Sequence, residues 1–291
     1  MKNYCIVLLL LLCRAAYAQP VVITSPLDHP ESIASDGKFL YATLIGKALA
    51  PTAKDGDGGL CKLDLSGKVI DAHFNKEPLN APKGTALLGN KLYIADIDRL
   101  VVIDLSSGNK VDEIDMAATG SVFLNDIAVM GDSVLFVSAT DIGQIFKVSL
   151  AKPNKVAPLS LPKILGPNGL VFDSANNTLY VAGLDRSEHP AGELGMITFK
   201  GNACHYETLT DAKGVFDGIQ MIDAHTLIVS DWVNIKLLQS RLLKVNLRDK
   251  SYTELYKGTD AADIYYDKKK NRIIQPGLRD GVILEYSLNR Y

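Results

Sequence analysis

The strongest constraint on this chain is a four-strand pattern that recurs along its length. Short runs rich in Val, Ile, Leu and Tyr alternate with Gly, Asn, Asp and Pro. The first run of each repeat begins at residues 31, 83, 125, 168, 217 and 262, so successive starts lie 52, 42, 43, 49 and 45 residues apart. A period of about 40–50 residues with four strands per repeat is typical of a β-propeller rather than a sandwich. The sequence therefore predicts an all-β, six-bladed β-propeller with four-stranded blades.

The last repeat is incomplete in a way that indicates how the ring closes. It shows only three strands before Tyr291, and the segment at residues 21–25 is a lone strand with no repeat of its own. We therefore expect residues 21–25 to form the outer strand of the last blade, which removes an open sheet edge. This closure places blade 1 opposite blade 4, so Cys61 and Cys204 are predicted to be free thiols.

The first 18 residues have the pattern of a secretory signal peptide. Lys2 precedes the apolar run "CIVLLLLLC", and Ala16-Tyr17-Ala18 fits the small-x-small cleavage site. The run is shorter than the ~20 residues that a membrane anchor needs. Lipid attachment at Cys13 is disfavoured because bulky Leu12 precedes it. We expect cleavage after Ala18, a propeller domain at residues 19–291, and export to the periplasm or the extracellular space.

Charge and composition limit the partners. Without Lys2 and Arg14 the chain keeps 29 basic residues against 33 acidic ones, a net charge of −4. No basic patch for nucleic acid and no polybasic membrane segment is evident. No serine-hydrolase, zinc-protease or nucleotide-binding motif occurs either. A monomer that acts on a small molecule is expected.

The first strand of each propeller blade lines the central channel, so its starting residue lies at the channel mouth. These six residues are, in blade order, Glu31, Lys83, Asn125, Asn168, Asp217 and Ala262. Four of them carry oxygen atoms, which suit a hard divalent cation. Asn-Gly and Asp-Gly are also common turn pairs, but Glu31 is not a turn residue and occupies the same position, which favours a site.

The second strand of each blade ends on the same face of the ring. Asp96, Asp231 and Trp232 lie at such ends and are candidates for contact with a substrate. Blade packing is an equal alternative for Trp232.

Four segments resemble those of the regucalcin/gluconolactonase-like family of six-bladed propellers, and the resemblance covers nearly the whole of residues 19–291. The segments are "HPES", "FLNDIAV", "GPNGLVFD" and "FDGIQMID". The resemblance implies one divalent cation bound by Glu31, Asn168 and Asp217, with calcium expected first and magnesium, manganese or zinc as alternatives. It also implies that Asn125 holds the substrate or a ligating water. Asp217 would act as the base in a metal-dependent hydrolase that opens a lactone or related ester.

Three residues depart from the family pattern. Phe123 stands where lactone-opening members carry an Arg that contacts the substrate, and Ser32 replaces the usual Gly after Glu31. Lys83 either replaces the missing positive charge or pairs with Glu31 or Asp217. The substrate therefore stays open. The alternative function is a non-catalytic propeller that binds a small ligand, a glycan or a protein partner through its loop face.

Overall fold

The computed structural model describes residues 20–24, 26–201, 203–234, 236, 238–258 and 260–289. The predicted signal peptide lies outside these residues. The described residues form six four-stranded antiparallel sheets, which confirms the six-bladed propeller. One short 3₁₀ turn, Ala117–Thr119, is the helical element in this part of the chain. No helix among the described residues is long and apolar enough to cross a bilayer.

The blades follow one another along the chain, each running from an inner to an outer strand. Blade 1 consists of β2 (Pro30–Ser35), β3 (Phe39–Leu44), β4 (Gly59–Asp64) and β5 (Val69–Asp71). Blade 2 consists of β6 (Pro82–Leu88), β7 (Lys91–Asp96), β8 (Arg99–Asp104) and β9 (Lys110–Asp115). Blade 3 consists of β10 (Leu124–Met130), β11 (Val134–Ala139), β12 (Gln144–Ser149) and β13 (Lys155–Pro158).

The second half of the ring repeats this order. Blade 4 consists of β14 (Pro167–Asp173), β15 (Thr178–Gly183), β16 (Gly192–Lys200) and β17 (Ala203–Gly214). Blade 5 consists of β18 (Phe216–Asp223), β19 (Thr226–Asn234), β20 (Gln239–Asn246) and β21 (Tyr252–Gly258). Blade 6 consists of β22 (Tyr265–Asp267), β23 (Arg272–Gly277), β24 (Val282–Ser287) and β1 (Val21–Val22).

The N-terminal strand closes the ring as predicted. Val21 pairs with Glu285 and Val22 with Leu284, and the Ile23 amide continues the ladder with a 2.9 Å hydrogen bond to the Ile283 carbonyl. The observed strand is shorter than the predicted range 21–25, whose last position lies outside the described residues. Blade 6 also begins its regular inner strand later than predicted, at Tyr265 rather than Ala262.

The core lies between the blades, because alternate residues of neighbouring sheets pack face to face. One cluster, for example, joins blades 2 and 3 through Leu100, Val102, Leu135 and Val137, all of them buried. Cys61 is buried in blade 1 and Cys204 lies in blade 4, and both are free thiols, as predicted.

Bulges interrupt the start of the inner strands. In blades 1 to 5 the pairing register shifts over the first four residues of the inner strand. A bulge places an extra residue on one strand and redirects its neighbours. Each bulge contains one of the residues predicted to lie at the channel mouth, so the sequence positions of the candidate site coincide with the irregular part of each inner strand.

Candidate functional site

The six predicted mouth residues are all buried at the inner ends of their blades. Their side chains range from fully buried Ala262 to 6% exposed Glu31 and Asp217. The Asn-Gly and Asp-Gly pairs lie inside strands β14 and β18 rather than in turns. Glycine follows Asn168 because a Cβ on Gly169 would come within 2.2 Å of the Asp217 carbonyl oxygen of the next blade. These pairs therefore reflect close approach of neighbouring inner strands, not turn capping.

A cavity of about 260 Å³ opens above this ring. Glu31, Lys83, Asn125, Asn168 and Asp217 form its polar floor. Its walls come from residues of all blades except the second: Ile45, Leu49, Pro51, Phe123, Arg186, Trp232, Leu278 and Arg279. Seven of the eight predicted site residues thus meet in one cavity.

Glu31 is the most constrained acid on the floor. Its Oε2 atom is buried and has no hydrogen-bond partner. Burial raises the pKa of the Glu31 carboxyl well above its usual value, and the neighbouring Asp217 and Asp263 carboxylates raise it further, whereas Lys83 lowers it. An oxygen in this position needs a cation, a proton or a donor from a ligand.

Asp217 is held by the single tryptophan. Trp232 Nε1 donates a 2.7 Å hydrogen bond to Asp217 Oδ2. Burial raises the pKa of the Asp217 carboxyl, while the Trp232 hydrogen bond, Arg186 and the Asn168 amide lower it. The Asn168 Nδ2 atom is itself buried and makes no hydrogen bond of normal geometry. Both alternatives for Trp232 hold, since it packs against Leu184 and Val215 and also lines the cavity.

Lys83 is a buried cation of the floor, next to Phe123. Its Nζ donates a 2.9 Å hydrogen bond to the Ala81 carbonyl and lies 4.7 Å from the centre of the Phe123 ring. Burial lowers the pKa of the Lys83 ammonium to about 8, against the opposing effect of Glu31. Lys83 therefore remains largely charged at neutral pH.

Asp231 does not line the cavity. It is fully buried, its Oδ1 accepts hydrogen bonds from the backbone amides of Val215 and Val233, and its Oδ2 accepts one from Arg241. Asp96 is held in the same way in blade 2, by the amides of Asn80 and Ala81. Both carboxylates fix the segment that leads into an inner strand, so neither is available to a substrate.

Sequence reasoning missed a second set of buried carboxylates, which directly follow two of the mouth residues and do not line the cavity. Asp126 accepts hydrogen bonds from the Ile127 and Leu170 amides, and Asp263 from the Ile264 amide and the Ser32 hydroxyl. Each carboxylate thus joins its own blade to the next. Burial raises the pKa of Asp263 to about 7. The only signal in the sequence was the acidic residue that directly follows Asn125 and Ala262.

Sequence reasoning also missed two arginines. Arg186 comes from the loop after β15 and Arg279 from the loop between β23 and β24, and both line the cavity. Both residues lie on loops, and no periodicity in the sequence indicates where the side chains of a loop lie. A positive charge thus reaches Phe123 from the next blade, with the Arg186 Cζ atom 5.8 Å from the ring centre.

The donor set on the floor fits a hard divalent cation only in part. Among the described residues, no three His, Cys, Asp or Glu side chains cluster closely enough to hold a metal. The candidate ligands are two carboxylates, Glu31 and Asp217, with the amide of Asn168. Oxygen donors of this kind suit calcium or magnesium, with waters completing the coordination. The unpartnered Glu31 Oε2 is the observation that supports such an ion.

Fold and site together define a six-bladed β-propeller with a charged cavity at the mouth of its channel. No protein-family model matches the sequence, and a search of curated proteins finds no match. Several solved propellers share the fold. Virginiamycin B lyase from Staphylococcus aureus, as an inactive variant with quinupristin and as a selenomethionine form, is similar with a TM-score of 0.62 and 14% identity over 93% of this chain and 98% of that one.

A second similar structure is the β-propeller domain of Cps50 (Swd1) from Myceliophteria thermophila. Its TM-score is 0.61 at 12% identity, over 93% of this chain and 100% of that domain. At such identities the likeness extends to the fold alone, so the activity has to be argued from the cavity.

Proposed function

We propose that this protein is an exported, metal-dependent hydrolase that opens a lactone or related ester in the cavity at its channel mouth. The observation that carries the proposal is the pairing of two buried acids, Glu31 and Asp217, beside the Asn168 amide, with Glu31 Oε2 left without a partner. Glu31, Asn168 and Asp217 would hold one divalent cation, calcium first. When bound, the cation would polarise the scissile carbonyl and stabilise negative charge on its oxygen.

Asp217 is suited to act as the general base. Its carboxylate lies on the cavity floor, where a general base can reach the attacking water. Trp232 fixes the carboxylate through Oδ2. Asn125 is 4% exposed and lies on the floor, where it would orient the substrate or the attacking water. Lys83 adds a charged donor on the same floor, and Phe123 supplies an apolar wall.

The test uses purified protein, metal analysis and a panel of γ- and δ-lactones. We expect one divalent ion per chain, and we expect Asp217→Asn to lower kcat/KM by about 10²–10⁴, the usual contribution of a general base. Asp132→Asn removes the same charge at an exposed turn and serves as the matched control. The proposal is excluded if the purified protein contains no divalent ion and Asp217→Asn hydrolyses lactones as fast as the wild type.

Chelation gives an independent readout. A bound ion stabilises the folded state by about 2.7 kcal/mol when its concentration is 100 times Kd. For a chain of this size the corresponding shift in Tm is about 5 °C. We therefore expect a chelator to lower Tm for the wild type and for Asp132→Asn, but not for Glu31→Gln.

Lys83 favours a second candidate function, a binding protein without catalysis. Its buried ammonium already supplies a fixed positive charge next to Glu31. In that case a small ligand would bind the floor directly through Lys83 and the two asparagines. Ligand binding that survives chelation, without turnover of any lactone, would distinguish this function from the hydrolase.

A further inference from the structure

Aromatic rings and guanidinium groups alternate around the mouth from blade 3 to blade 6. In blade order the side chains are Phe123, Arg186, Trp232 and Arg279. The Arg186 Cζ atom lies 5.8 Å from the centre of the Phe123 ring, and the Arg279 Cζ atom lies 4.8 Å from that of Trp232. Stacking on an aromatic face orients a guanidinium group while leaving its N–H edge for another partner.

Arg186 differs from the arginines that brace the fold. Arg99, Arg241 and Arg272 each form a salt bridge with a nearby aspartate. Within the described part of the chain, Arg186 forms no salt bridge, although it lowers the pKa of Asp217 from a distance. A cavity-lining guanidinium without a carboxylate partner is suited to accept one from a ligand.

The opposite wall has the reverse character. Blade 1 supplies Ile45, Leu49 and Pro51 from the long loop that follows β3, and Leu278 adds an apolar surface next to Arg279. Leu49 is 42% exposed, which is high for a leucine and leaves apolar surface at the rim for a ligand to cover. The cavity therefore has one apolar side and one cationic-aromatic side above a polar floor.

We infer that the ligand of this cavity is a small amphiphilic carboxylate whose charged end is held by Arg186. Arg186 reaches the cavity from the wall opposite the apolar residues of blade 1, so the carboxylate would lie at one end of the ligand and its apolar part at the other. The planar fork of arginine matches a carboxylate with two parallel hydrogen bonds. The remainder of the ligand covers the blade 1 wall. If the ligand is a substrate, it is a lactone or ester that carries a carboxylate, and this part of the inference rests on the proposed hydrolase function.

The test separates charge recognition from turnover by using two matched pairs of probes. The first pair is pyroglutamate and its carboxamide, γ-lactams that resist ring opening and report binding by calorimetry. The second pair is γ-butyrolactone carrying a ring carboxylate and the corresponding carboxamide, which report hydrolysis. We compare wild type with Arg186→Gln. The control is Arg248→Gln, which makes the same charge change at an exposed turn far along the chain.

We expect the wild type to bind pyroglutamate about tenfold more tightly than its carboxamide, as a charge-assisted hydrogen bond at a partly exposed site allows. Arg186→Gln should bring the ratio close to one, and Arg248→Gln should leave it unchanged. The inference is wrong if the wild type binds the two lactams equally, or if Arg186→Gln leaves the ratio unchanged. It is also wrong if neither lactam binds and the wild type hydrolyses the two lactones without preferring the carboxylate.

The lactone pair distinguishes the two proposals. If both lactones open at similar rates, the hydrolase proposal stands and carboxylate recognition is wrong. If neither opens while the Arg186-dependent lactam preference persists, carboxylate recognition stands and the hydrolase proposal is wrong.

Discussion

Asp126 and Asp263 show how the hydrogen-bond partners of a buried carboxylate decide whether it can be replaced by an amide. Both oxygens of Asp126 accept backbone amides, from Ile127 and Leu170, and these donors cannot reverse. Asp263 accepts one amide, from Ile264, but its second partner is the Ser32 hydroxyl at 2.6 Å. A hydroxyl can rotate so that it accepts a hydrogen bond instead of donating one, and it could therefore accept from the NH₂ group of an asparagine. An asparagine can thus replace Asp263 without loss of hydrogen bonds, but it cannot replace Asp126 in this way.

We expect Asp263→Asn to stabilise the metal-free protein at pH 8. The pKa of Asp263 rises from 3.8 to about 7 on folding. Its ionisation therefore opposes folding: the cost is absent below pH 3.8, grows as pH rises to about 7, and is complete above that pH. Asp263→Asn removes this cost, so it should raise the free energy of unfolding at pH 8 by at least about 1 kcal/mol. A shift of a single pKa unit would already account for a gain of this size.

The measurement is chemical denaturation at pH 8 and pH 4.5, with chelator present throughout. At pH 4.5 the gain from Asp263→Asn should largely disappear. Asp126→Asn is the matched variant, and it should destabilise at both pH values because one amide N–H would face the new NH₂ group. A stabilising Asp126→Asn, or a gain for Asp263→Asn that is the same at both pH values, would contradict this account.

At the scale of the elements, hydroxyl groups on the second strands stabilise the bulges that carry the site. Thr43, Ser138 and Ser230 accept hydrogen bonds of 2.8–3.0 Å from bulge amides of Ser32, Asp126 and Gly218. Two of them also link blades. Thr43 donates to the carbonyl of Lys83, and Ser230 donates to that of Ala262. The backbone of a mouth residue is thus fixed by the preceding blade.

We expect Ser230→Ala to cost more stability than Ser138→Ala. Ser230 satisfies the Gly218 amide and, at 2.6 Å, the Ala262 carbonyl of the next blade. Ser138 has one strong partner, the Asp126 amide, because its contact with the Asp126 carbonyl is 3.4 Å long. Leaving two buried backbone groups unpaired should cost about 2–4 kcal/mol, against about 1–2 kcal/mol for one. Urea denaturation of both variants measures the difference, and equal losses would show that the link between blades 5 and 6 adds no stability.

The same bulges explain what the sequence could and could not reveal. The period-two runs predicted the strands, and their recurrence predicted the ring, because both follow from which residues are buried. The four oxygen-bearing mouth residues could be aligned because each is the second residue of its inner strand: Glu31, Asn125, Asn168 and Asp217. Asp126 and Asp263 could not, since strict alternation assigns consecutive residues to opposite faces and a bulge breaks that rule. Arg186 and Arg279 lie on loops, whose paths carry no periodic signal.

Across the whole molecule, the ring depends on one short strand to close it. Val21 and Val22 are more than half exposed, so β1 contributes little burial of its own. Its value lies in pairing with β24, which would otherwise be an open edge, and in bringing Ile23 and Leu27 against the core that blades 1 and 6 share. Because the mouth residues come from all six blades, the geometry of the cavity depends on this closure.

We expect a chain that begins at Pro26 to be less stable and more prone to self-association than one that begins at Gln19. The shorter chain loses the pairing of Val21 and Val22, the hydrogen bond from Ile23 to Ile283, and the packing of Ile23. Loss of one apolar side chain and its ladder bonds amounts to about 2–3 kcal/mol, which should lower Tm by about 4–5 °C. The exposed edge of β24 offers unpaired backbone groups to another molecule. Thermal melts and sedimentation velocity on the two chains test both effects, and coincident melts with monomers in both cases would show that the ring holds without its closing strand.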